Sequence, residues 1–495
     1  MSERYNLIEE NWIPSVSRNF VSLKDIFNCD IPINIGGNAI EKISILKFLL
    51  AIVQVAVKPK NRADILNLQN EEMCKQVLNY LENNYNLFYL YGKKPIFQIP
   101  NVYAAKVKTF SEVSLEIASG NTSVLYSSQR ERDFTESDKV LLLLTMMGFA
   151  AGGKKVDNSL VLTPGYKLKS NEKGNPCSSK YGPSLGFKGY LHTFLVRENI
   201  IDTLRLNLFP EDYIDNLSLF PAGIGNPPWE CPPKGEACDF ALNISRSYLG
   251  SLIPYSRFML LCEDGIHFTE GIRYDSNHNE RHDLSMSVML NTKKPRVLWV
   301  EPERSVASEL KYFLNQDQDS KNYFYCHQIQ NALLNLTEEE KNIRSSTSEL
   351  KIWSGGLKLS SKAGEQYCSG NDDYHFEELE IDSRLHKQEF QELFFKYVEI
   401  IKNYESLLYY SVRFYNEELN LDYAKYIADA SNYFWHILRE EITYLFDLIE
   451  YDDEKVLKNF VFKKTCQIYN EICPATSAIR IMAHAKHSPG LNKGA

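Results

Sequence analysis

Apolar residues recur at steps of three and four along several stretches of the chain, which is the period of a helix with one buried face. Two of these stretches cover 38–57 and 71–84. A third opens with Thr135 and Asp138, whose spacing is that of a capping box, in which each side chain satisfies a free backbone N–H group of the other residue. The pattern therefore predicts helices over 38–57, 71–84 and 136–151.

The middle of the chain changes from helical spacing to short apolar runs that turn residues separate. Runs rich in aromatic and β-branched residues predict strands near 258–261, 266–269, 287–290 and 296–300. A helix is predicted ahead of them, near 192–208. Strands and helices mixed in this way are typical of an α+β domain.

Helical spacing alone continues beyond residue 382. Four consecutive helices are predicted there, over 390–415, 427–449, 454–473 and 476–487. Because their connections are short, consecutive helices are expected to pack side by side in an up-and-down bundle. The predicted fold class is therefore α+β, with a large mixed N-terminal domain at 1–382 and a C-terminal four-helix bundle at 383–495.

One stretch, 152–189, follows neither period. It contains seven lysines against two acidic residues, Asp157 and Glu172, with glycines, prolines and serines between them. This composition predicts a long loop that is mobile or that a ligand orders. Lysines concentrated in one loop also make it a candidate contact to phosphate.

The chain as a whole, 495 residues long, is acidic, with a formal net charge of −9. This balance argues against a protein that coats DNA over its whole surface. It leaves room for a local basic face, because phosphate binding depends on where lysine and arginine cluster. Contact with nucleic acid is therefore expected on one face only.

Compartment signals are few. Residues 1–11 do not follow the charged-then-apolar order of a secretory leader, and the most apolar helix, at 40–57, carries charges that a bilayer core disfavours. The ten cysteines are scattered and form no Cys-x-x-Cys pair, which fits a reducing compartment and provides no spacing for structural zinc. The expected location is the cytoplasm, without membrane contact.

The best candidate for catalysis is a metal-dependent nuclease site built on His278 and His282, with Asp275, Glu280 and Asp283 nearby. Two histidines at this spacing point the same way only on a helix. Asparagines beside and between them make the stretch turn-like, so a polar surface loop is the preferred interpretation.

Other catalytic patterns are weaker. The pair Asp372 and Asp373 is typical of a turn rather than of a two-metal site. The double glycines at 36–37 and 152–153 lack the Gly-Lys-Ser/Thr of a nucleotide-binding loop. The chain is therefore predicted not to be an enzyme, and neither catalytic residues nor a metal nor a cofactor is assigned to it.

Seven blocks follow one another along nearly the whole chain: NLIEENWIPS (6–15), ILKFLLAIVQVAVKP (45–59), LFYLYGKKPIFQ (87–98), SGNTSVLYSSQRERDFTESDKVLLLL (119–144), GPSLGFKGYLHTFLV (182–196), LWVEPE (298–303) and IWSGGLKLSSKAGEQYCSG (352–370). In this order they resemble the CasA family, the large subunit of the type I-E CRISPR surveillance complex called Cascade. The set of blocks carries the resemblance, because no single block is a sharp motif.

The resemblance implies a non-catalytic subunit that recognises the protospacer-adjacent motif in duplex DNA, helps start R-loop formation and helps recruit the helicase-nuclease. Guide pairing reads the target sequence in such systems, while protein reads the adjacent motif. The implied partners are the other Cascade subunits, the 5′ region of the guide RNA, duplex target DNA with its adjacent motif, and the helicase-nuclease. The alternatives are a helical-bundle scaffold without DNA contact, which the net acidity favours, and the metal-dependent nuclease.

The resemblance also implies DNA-contacting residues. The loop after Tyr126, whose family counterpart lies near the guide end, supplies Gln129, Arg130 and Arg132 as phosphate donors. In the lysine-rich loop the candidates are Lys167, Lys169, Lys173, Ser178, Ser179 and Lys180. Residues 177–180 align with a small-residue turn that enters the minor groove in the family, although this chain lacks the glycines of that turn.

A third implied feature is a wedge that opens the first base pairs. Some family members place a Gln-Ala pair after the SGG sequence, and aligning on the alanine matches it with Lys362 and Ala363. An ungapped alignment puts Ser361 at the wedge instead, and Gln366 is a third candidate. Arg273 falls roughly at a family lysine that touches the motif.

Overall fold

The computed structural model of the chain describes residues 2–29, 32–115, 133–274, 283–289, 295–302, 305–314, 324–341, 350–362, 365–368 and 373–490. Within these ranges, helices and short strands are mixed through the N-terminal part, and helices alone follow residue 388. The predicted α+β fold class with a helical C-terminal region is confirmed.

The strands are short and pair mostly in twos and threes. They are β1 (Arg4–Asn6), β2 (Ile13–Pro14), β3 (Phe20–Val21), β4 (Tyr89–Tyr91), β5 (Val107–Lys108), β6 (His192–Val196), β7 (Arg257–Cys262), β8 (Gly265–Glu270), β9 (Val288–Met289), β10 (Arg296–Val297), β11 (Lys351–Leu357), β12 (Ser360–Lys362), β13 (Glu365–Tyr367) and β14 (Tyr374–Glu380). The sheets have the orders β1-β4, β2-β3, β9-β10, β12-β13, β5-β8-β7 and β14-β11-β6.

The helices range from single turns to one of 31 residues. They are α1 (Leu23–Ile26), α2 (Ala39–Val57), α3 (Arg62–Leu66), α4 (Asn70–Asn83), α5 (Phe110–Val113), α6 (Glu136–Phe149), α7 (Ile200–Asn207), α8 (Glu211–Asp215), α9 (Asp239–Ile244), α10 (Tyr248–Leu252), α11 (Val306–Leu314), α12 (His327–Leu334), α13 (Glu338–Lys341), α14 (Gln388–Glu418), α15 (Ala424–Glu440), α16 (Ile442–Glu450), α17 (Glu454–Ile472) and α18 (Ala478–Lys486).

The chain divides into two compact units. The first comprises Met1–Val300, His327–Asn335 and Ser354–Phe376, and the second comprises Glu301–Cys326, Leu336–Trp353 and Glu377–Ala495. Each unit is thus built from separate pieces of chain. The sequence-based boundary between residues 382 and 383 stays a prediction.

Helix α2 forms the centre of the first unit. Asn38 caps it by accepting a hydrogen bond from the Glu41 backbone N–H at 3.0 Å, and Glu41 accepts one from the Asn38 N–H at 2.9 Å. The helix ends at Val57, and the following residue, Lys58, has a left-handed φ of 52°. Helices α4, α6, α7 and α10 pack around it. A disulfide joins Cys29 to Cys74 of α4, a pairing that the scattered cysteine spacing did not predict.

Two sequence-based predictions were wrong in detail. The helix predicted over 192–208 begins only at Ile200, because the run His192–Val196 is rich in β-branched and aromatic residues and forms strand β6. Asn199 then caps α7 by accepting from the Ile201 N–H. The single helix predicted over 427–449 is divided at Glu441 into α15 and α16.

In the second unit, helices α14, α15 and α17 pack against one another and α16 packs against all three. Phe394 of α14 stacks on Phe446 of α16 with ring centroids 5.7 Å apart. Tyr397 donates to Asp452 at 3.0 Å, and Tyr415 donates to the Pro474 carbonyl at 2.7 Å. These contacts join α14 to α16 and to the segments that follow α16 and α17, by apolar packing and by hydrogen bonds from buried tyrosines.

In the part of the chain that the structure describes, none of the helices has the length and apolar character needed to cross a membrane.

Candidate nucleic-acid interface

The lysine-rich stretch is a loop in the structure, made of turns and isolated bridges rather than helix or strand. Its two halves meet where Gly153 and Ser179 exchange backbone hydrogen bonds of 3.1 and 2.8 Å. Further out, the Cys177 N–H donates to the Lys169 carbonyl at 2.9 Å, and Asn171 and Asn175 close a tight tip. The loop therefore has a paired base and a small excursion over 169–177.

Lys169 anchors this loop from inside. Its ammonium lies 2.6 Å from Glu236 Oε1 and also donates to the Leu160 carbonyl at 3.0 Å and to Thr269 Oγ1 at 3.1 Å. Only 1% of the Lys169 side chain is exposed. Burial lowers the pKa of Lys169. The prediction that Lys169 contacts DNA is therefore corrected, because its donors are already used and no phosphate can reach them.

Glu236 is the receiving end of this anchor. Its carboxylate also accepts hydrogen bonds from the Leu162 N–H at 3.1 Å and the Thr163 N–H at 2.8 Å. Burial alone raises the pKa of Glu236, but the charge of Lys169 and these hydrogen bonds hold it below its ordinary value. A buried ion pair whose remaining lone pairs are also satisfied is the arrangement that makes such burial tolerable.

The backbone of Lys180 is held by a charged pair on the neighbouring hairpin. Arg257 and Glu270 face each other across β7 and β8. Arg257 donates to the Lys180 carbonyl at 2.7 Å, and Glu270 accepts from the Lys180 N–H at 2.7 Å. Arg257 also donates to the Ala151 carbonyl at 2.9 Å. Both backbone groups of one residue are thus fixed by two buried charges.

The rest of the 177–180 turn is tied down in the same way. Asn158 donates to the Cys177 carbonyl at 2.9 Å and to Glu270 at 3.2 Å. Ser179 is buried and its hydroxyl donates to the Gly153 carbonyl at 3.0 Å. The prediction that the Ser179 side chain contacts DNA is corrected for this reason. The side chains of Ser178 and Lys180 remain exposed on the outer side of the turn.

Arg257 is fully buried, and burial lowers its pKa to about 10. It is therefore still a cation at neutral pH, balanced by Glu270. Neither residue was singled out from the sequence. A charged residue at the end of an apolar strand is usually taken as the start of a turn, and only the hairpin register shows that these two face each other.

The other lysine-loop candidates are accessible. Lys167 and Lys173 are exposed, the latter at the tip of the 169–177 excursion. Arg273 is half-buried and donates to the Leu168 carbonyl, so part of its guanidinium holds the same loop. The structure therefore keeps Lys167, Lys173 and Lys180 as cations that a phosphate can approach.

The wedge candidates lie on the β12–β13 hairpin, where Ser361 pairs with Gln366 and Lys362 with Glu365. Ser361 is exposed. The backbone of Lys362 belongs to β12, while its side chain and all of Ala363 lie outside the described residues. Gln366 is only 5% exposed and its amide is bonded on both ends, so the hypothesis that it inserts into DNA is corrected.

Gln129, Arg130 and Arg132 lie outside the described residues. So do most members of the nuclease alternative, namely Asp275, His278, Glu280 and His282, and Asp372 of the separate Asp372–Asp373 pair. Within the described part of the chain, no group of three or more His, Cys, Asp or Glu side chains could hold a metal ion.

Asp283, the described member of the nuclease alternative, belongs to a buried polar cluster. Lys47 of α2 donates to its carboxylate and to Ser184 Oγ, the latter at 3.1 Å. His192 Nε2 lies 2.7 Å from the Ser184 carbonyl and must carry the proton, since a carbonyl only accepts, and Nδ1 lies 2.8 Å from Ser285 Oγ. Burial lowers the pKa of His192 to about 4, so the ring is neutral at pH 7.

Ser184 also stands in a Gly-x-Ser-x-Gly sequence at 182–186. In α/β-hydrolases that sequence carries a nucleophile on an exposed strand-to-helix turn. Here Ser184 is 2% exposed, no strand leads into the segment, and the Lys47 ammonium donates a hydrogen bond to the Ser184 hydroxyl. The arrangement is that of a core contact and does not fit a nucleophile elbow.

The fold is similar to that of several solved CRISPR-associated proteins. It superposes on Thermus thermophilus CasA (Cse1) with a TM-score of 0.65 and 18% identity over 98% of both chains. It also superposes on Thermobifida fusca Cse1 with a TM-score of 0.71 and 15% identity, covering 99% of this chain and 98% of that one. A chain of a structure described as a CRISPR RNA-guided surveillance complex matches with a TM-score of 0.71 and 13% identity over 99% of both chains.

The family of this chain follows from its sequence. A family model described as CRISPR-associated protein Cse1 (CRISPR_cse1) matches residues 6–473. This chain belongs to the Cse1 family, and the resemblance to CasA is confirmed. No curated protein matches it by sequence.

Proposed function

We propose that this chain is the Cse1 (CasA) subunit of a type I-E CRISPR surveillance complex. In that role it recognises the protospacer-adjacent motif in duplex DNA, helps start R-loop formation and helps recruit the helicase-nuclease, without catalysis of its own. Its partners are the other Cascade subunits, the 5′ region of the guide RNA and duplex target DNA, with Gln129, Arg130 and Arg132 proposed as phosphate donors. Membership of the family and the likeness to a chain of a surveillance complex support this role.

One observation carries the DNA-binding part: the 177–180 turn is fixed from behind by Arg257, Glu270 and Asn158, while Ser178 and Lys180 face outward. A turn held in place before binding loses little conformational entropy on contact. Small side chains let its backbone approach base edges, and a lysine favours the negative potential of the minor groove. Lys167 and Lys173 add phosphate contacts beside it.

The decisive test is DNA binding by the complex that copurifies with this chain and its guide RNA. Alanine at Lys167, Lys173 and Lys180 should weaken binding of motif-bearing duplex and reduce the slope of log affinity against log salt by roughly 0.9 for each lost phosphate contact. Alanine at the exposed lysines Lys60, Lys75 and Lys93, outside the loop, is the matched control and should leave the slope unchanged.

An unchanged slope in the loop variant would sink the DNA-contact role and favour the scaffold alternative, which the net charge of −9 supports. Purification of this chain with neither guide RNA nor other subunits bound to it would contradict the proposed role as a subunit. DNA cleavage that needs a metal and disappears in a His278→Ala/His282→Ala variant would instead establish the nuclease alternative.

A further inference from the structure

Gln366 of β13 closes the base of the lysine-rich loop. Its side-chain oxygen accepts from the Gly152 N–H at 2.8 Å, and its backbone N–H donates to the Gly152 carbonyl at 3.2 Å. Its side-chain nitrogen donates to the Gly186 carbonyl at 2.9 Å and the Phe187 carbonyl at 2.8 Å. One residue therefore grips the first residue of the loop and two residues at its other end.

The orientation of this amide follows from its partners. One end faces a backbone donor and the other faces two backbone acceptors, so only one assignment of oxygen and nitrogen satisfies all three. Space at the contact is also tight: a Cβ on Gly152 would lie 3.3 Å from Gln366 Oε1 and 3.1 Å from the Tyr181 nitrogen. Glycine at 152 is what allows the hairpin and the loop to meet this closely.

This contact links two proposed parts of the DNA interface. On one side of Gln366, Gly152 is followed by Gly153, whose backbone pairs with Ser179 in the 177–180 turn. On the other side, Gln366 pairs across the hairpin with Ser361, which precedes Lys362 in β12. A short run of backbone hydrogen bonds thus connects the turn that meets the motif with the hairpin that carries the wedge candidates.

We propose that Gln366 is a positioning residue that locks the β12–β13 hairpin to the base of the lysine-rich loop, so that motif contact and opening of the adjacent base pairs occur in one fixed geometry. This inference rests on the proposed function. Without the lock, the turn keeps its own anchors at Arg257 and Glu270 and still binds the motif. The hairpin then moves relative to the turn, and strand opening slows.

The hairpin has a second attachment, which makes the lock testable. At its root the Leu359 N–H donates to the Lys188 carbonyl at 2.9 Å, and the Lys358 N–H donates to the Asp373 carbonyl at 2.8 Å. Gln366→Met keeps the length of the side chain and removes its hydrogen bonds, and the root contacts should hold the hairpin in the fold. A matched control is Gln54→Met, since Gln54 is also a buried amide bonded to backbone, at Phe209 O, 2.9 Å away.

The experiment uses the assembled complex and two motif-bearing duplexes, one fully paired and one pre-melted at the pairs next to the motif. A fluorescent base analogue at the first pair reports opening. Gln366→Met should slow opening of the paired duplex by about tenfold, in line with the loss of buried hydrogen bonds, and leave affinity for the pre-melted duplex within about twofold. Gln54→Met should leave the opening rate of the paired duplex, relative to the affinity for the pre-melted duplex, at its wild-type value.

Equal losses on both duplexes, or no loss on either, would overturn the lock. Failure of the proposed function is distinguishable, because the wild-type complex itself would then show no motif-dependent opening. Should Gln366→Met fold poorly by thermal unfolding, Gln366→Glu serves in its place. Gln366→Glu preserves the shape of the side chain and the acceptor for the Gly152 N–H, but it places a carboxylate oxygen next to the Gly186 and Phe187 carbonyls. The same selective slowing of strand opening is expected.

Discussion

The lysine-rich loop and the helices α14 to α17 hold their backbones in place by different means. The loop has turns and isolated bridges in place of helices and strands, and buried charged groups such as Lys169 and Arg257 bind several of its carbonyls. The helices satisfy their own backbones and pack through apolar stripes. Their ion pairs lie outside, as with Arg413 and Glu417, each 37% exposed.

The difference predicts where the molecule is sensitive. A buried ion pair contributes through its geometry, and removing one partner leaves an uncompensated charge in the interior. An exposed pair is screened by water and salt and contributes little. Charge substitutions should therefore be severe in the anchors of the loop and mild on the surface of the helices.

The largest effect is expected at the loop anchor. Lys169→Met strands the buried Glu236 carboxylate and should lower the free energy of unfolding by about 3–5 kcal/mol. Arg413→Met removes the cation of an exposed pair and should cause no measurable change. Denaturant titration of both variants checks the comparison, and equal losses would show that the two regions do not differ in this way.

A second prediction concerns acid. Burial alone raises the pKa of Asp283, but the neighbouring charge of Lys47 holds it below its ordinary value. A carboxyl group with a lowered folded pKa stabilises the fold above its unfolded pKa of about 4, and this stabilisation is lost as the pH falls. The free energy of unfolding should decrease below that pH with a slope of up to about 1.4 kcal/mol per pH unit from this group.

Unfolding titrations between pH 3 and 7 in wild type and Asp283→Asn would isolate this contribution. The variant should be less stable at pH 7, because Lys47 loses its buried partner, and should lose less stability on acidification. A pH dependence identical to that of the wild type would show that Asp283 does not carry this charge.

The smallest effect is expected where only local structure is at stake. Thr135 caps α6 by accepting from the Asp138 N–H at 3.2 Å, and Thr135→Ala should cost about 1 kcal/mol. The measurement is again denaturant unfolding, with Thr135→Ser as the control that keeps the hydroxyl. A loss as large as that of Lys169→Met would mean that Thr135 does more than cap its helix.

The sequence was enough to predict where most of the candidate site lies, but not which of its side chains are buried and which are exposed. The lysine-rich composition of 152–189 predicted a loop and a basic surface. Seven lysines in one loop are equivalent by composition, however, and Lys169 is buried only because Glu236 and Thr269 lie beside it. Ser179 and Gln366 likewise became structural contacts through partners distant in the chain.

What the sequence by itself determined are the features that neighbours along the chain decide: the helical periods, the cap at Thr135 and the mixed fold class. The ordered blocks along the chain also indicated the family, which the family match confirms. Only the tertiary structure decided which charges are buried, which side of the 177–180 turn faces out and how Gln366 ties the hairpin to the loop. The physical reason is that the desolvation of a charged or amide group is offset by particular partners, and here those partners come from segments that only folding brings together.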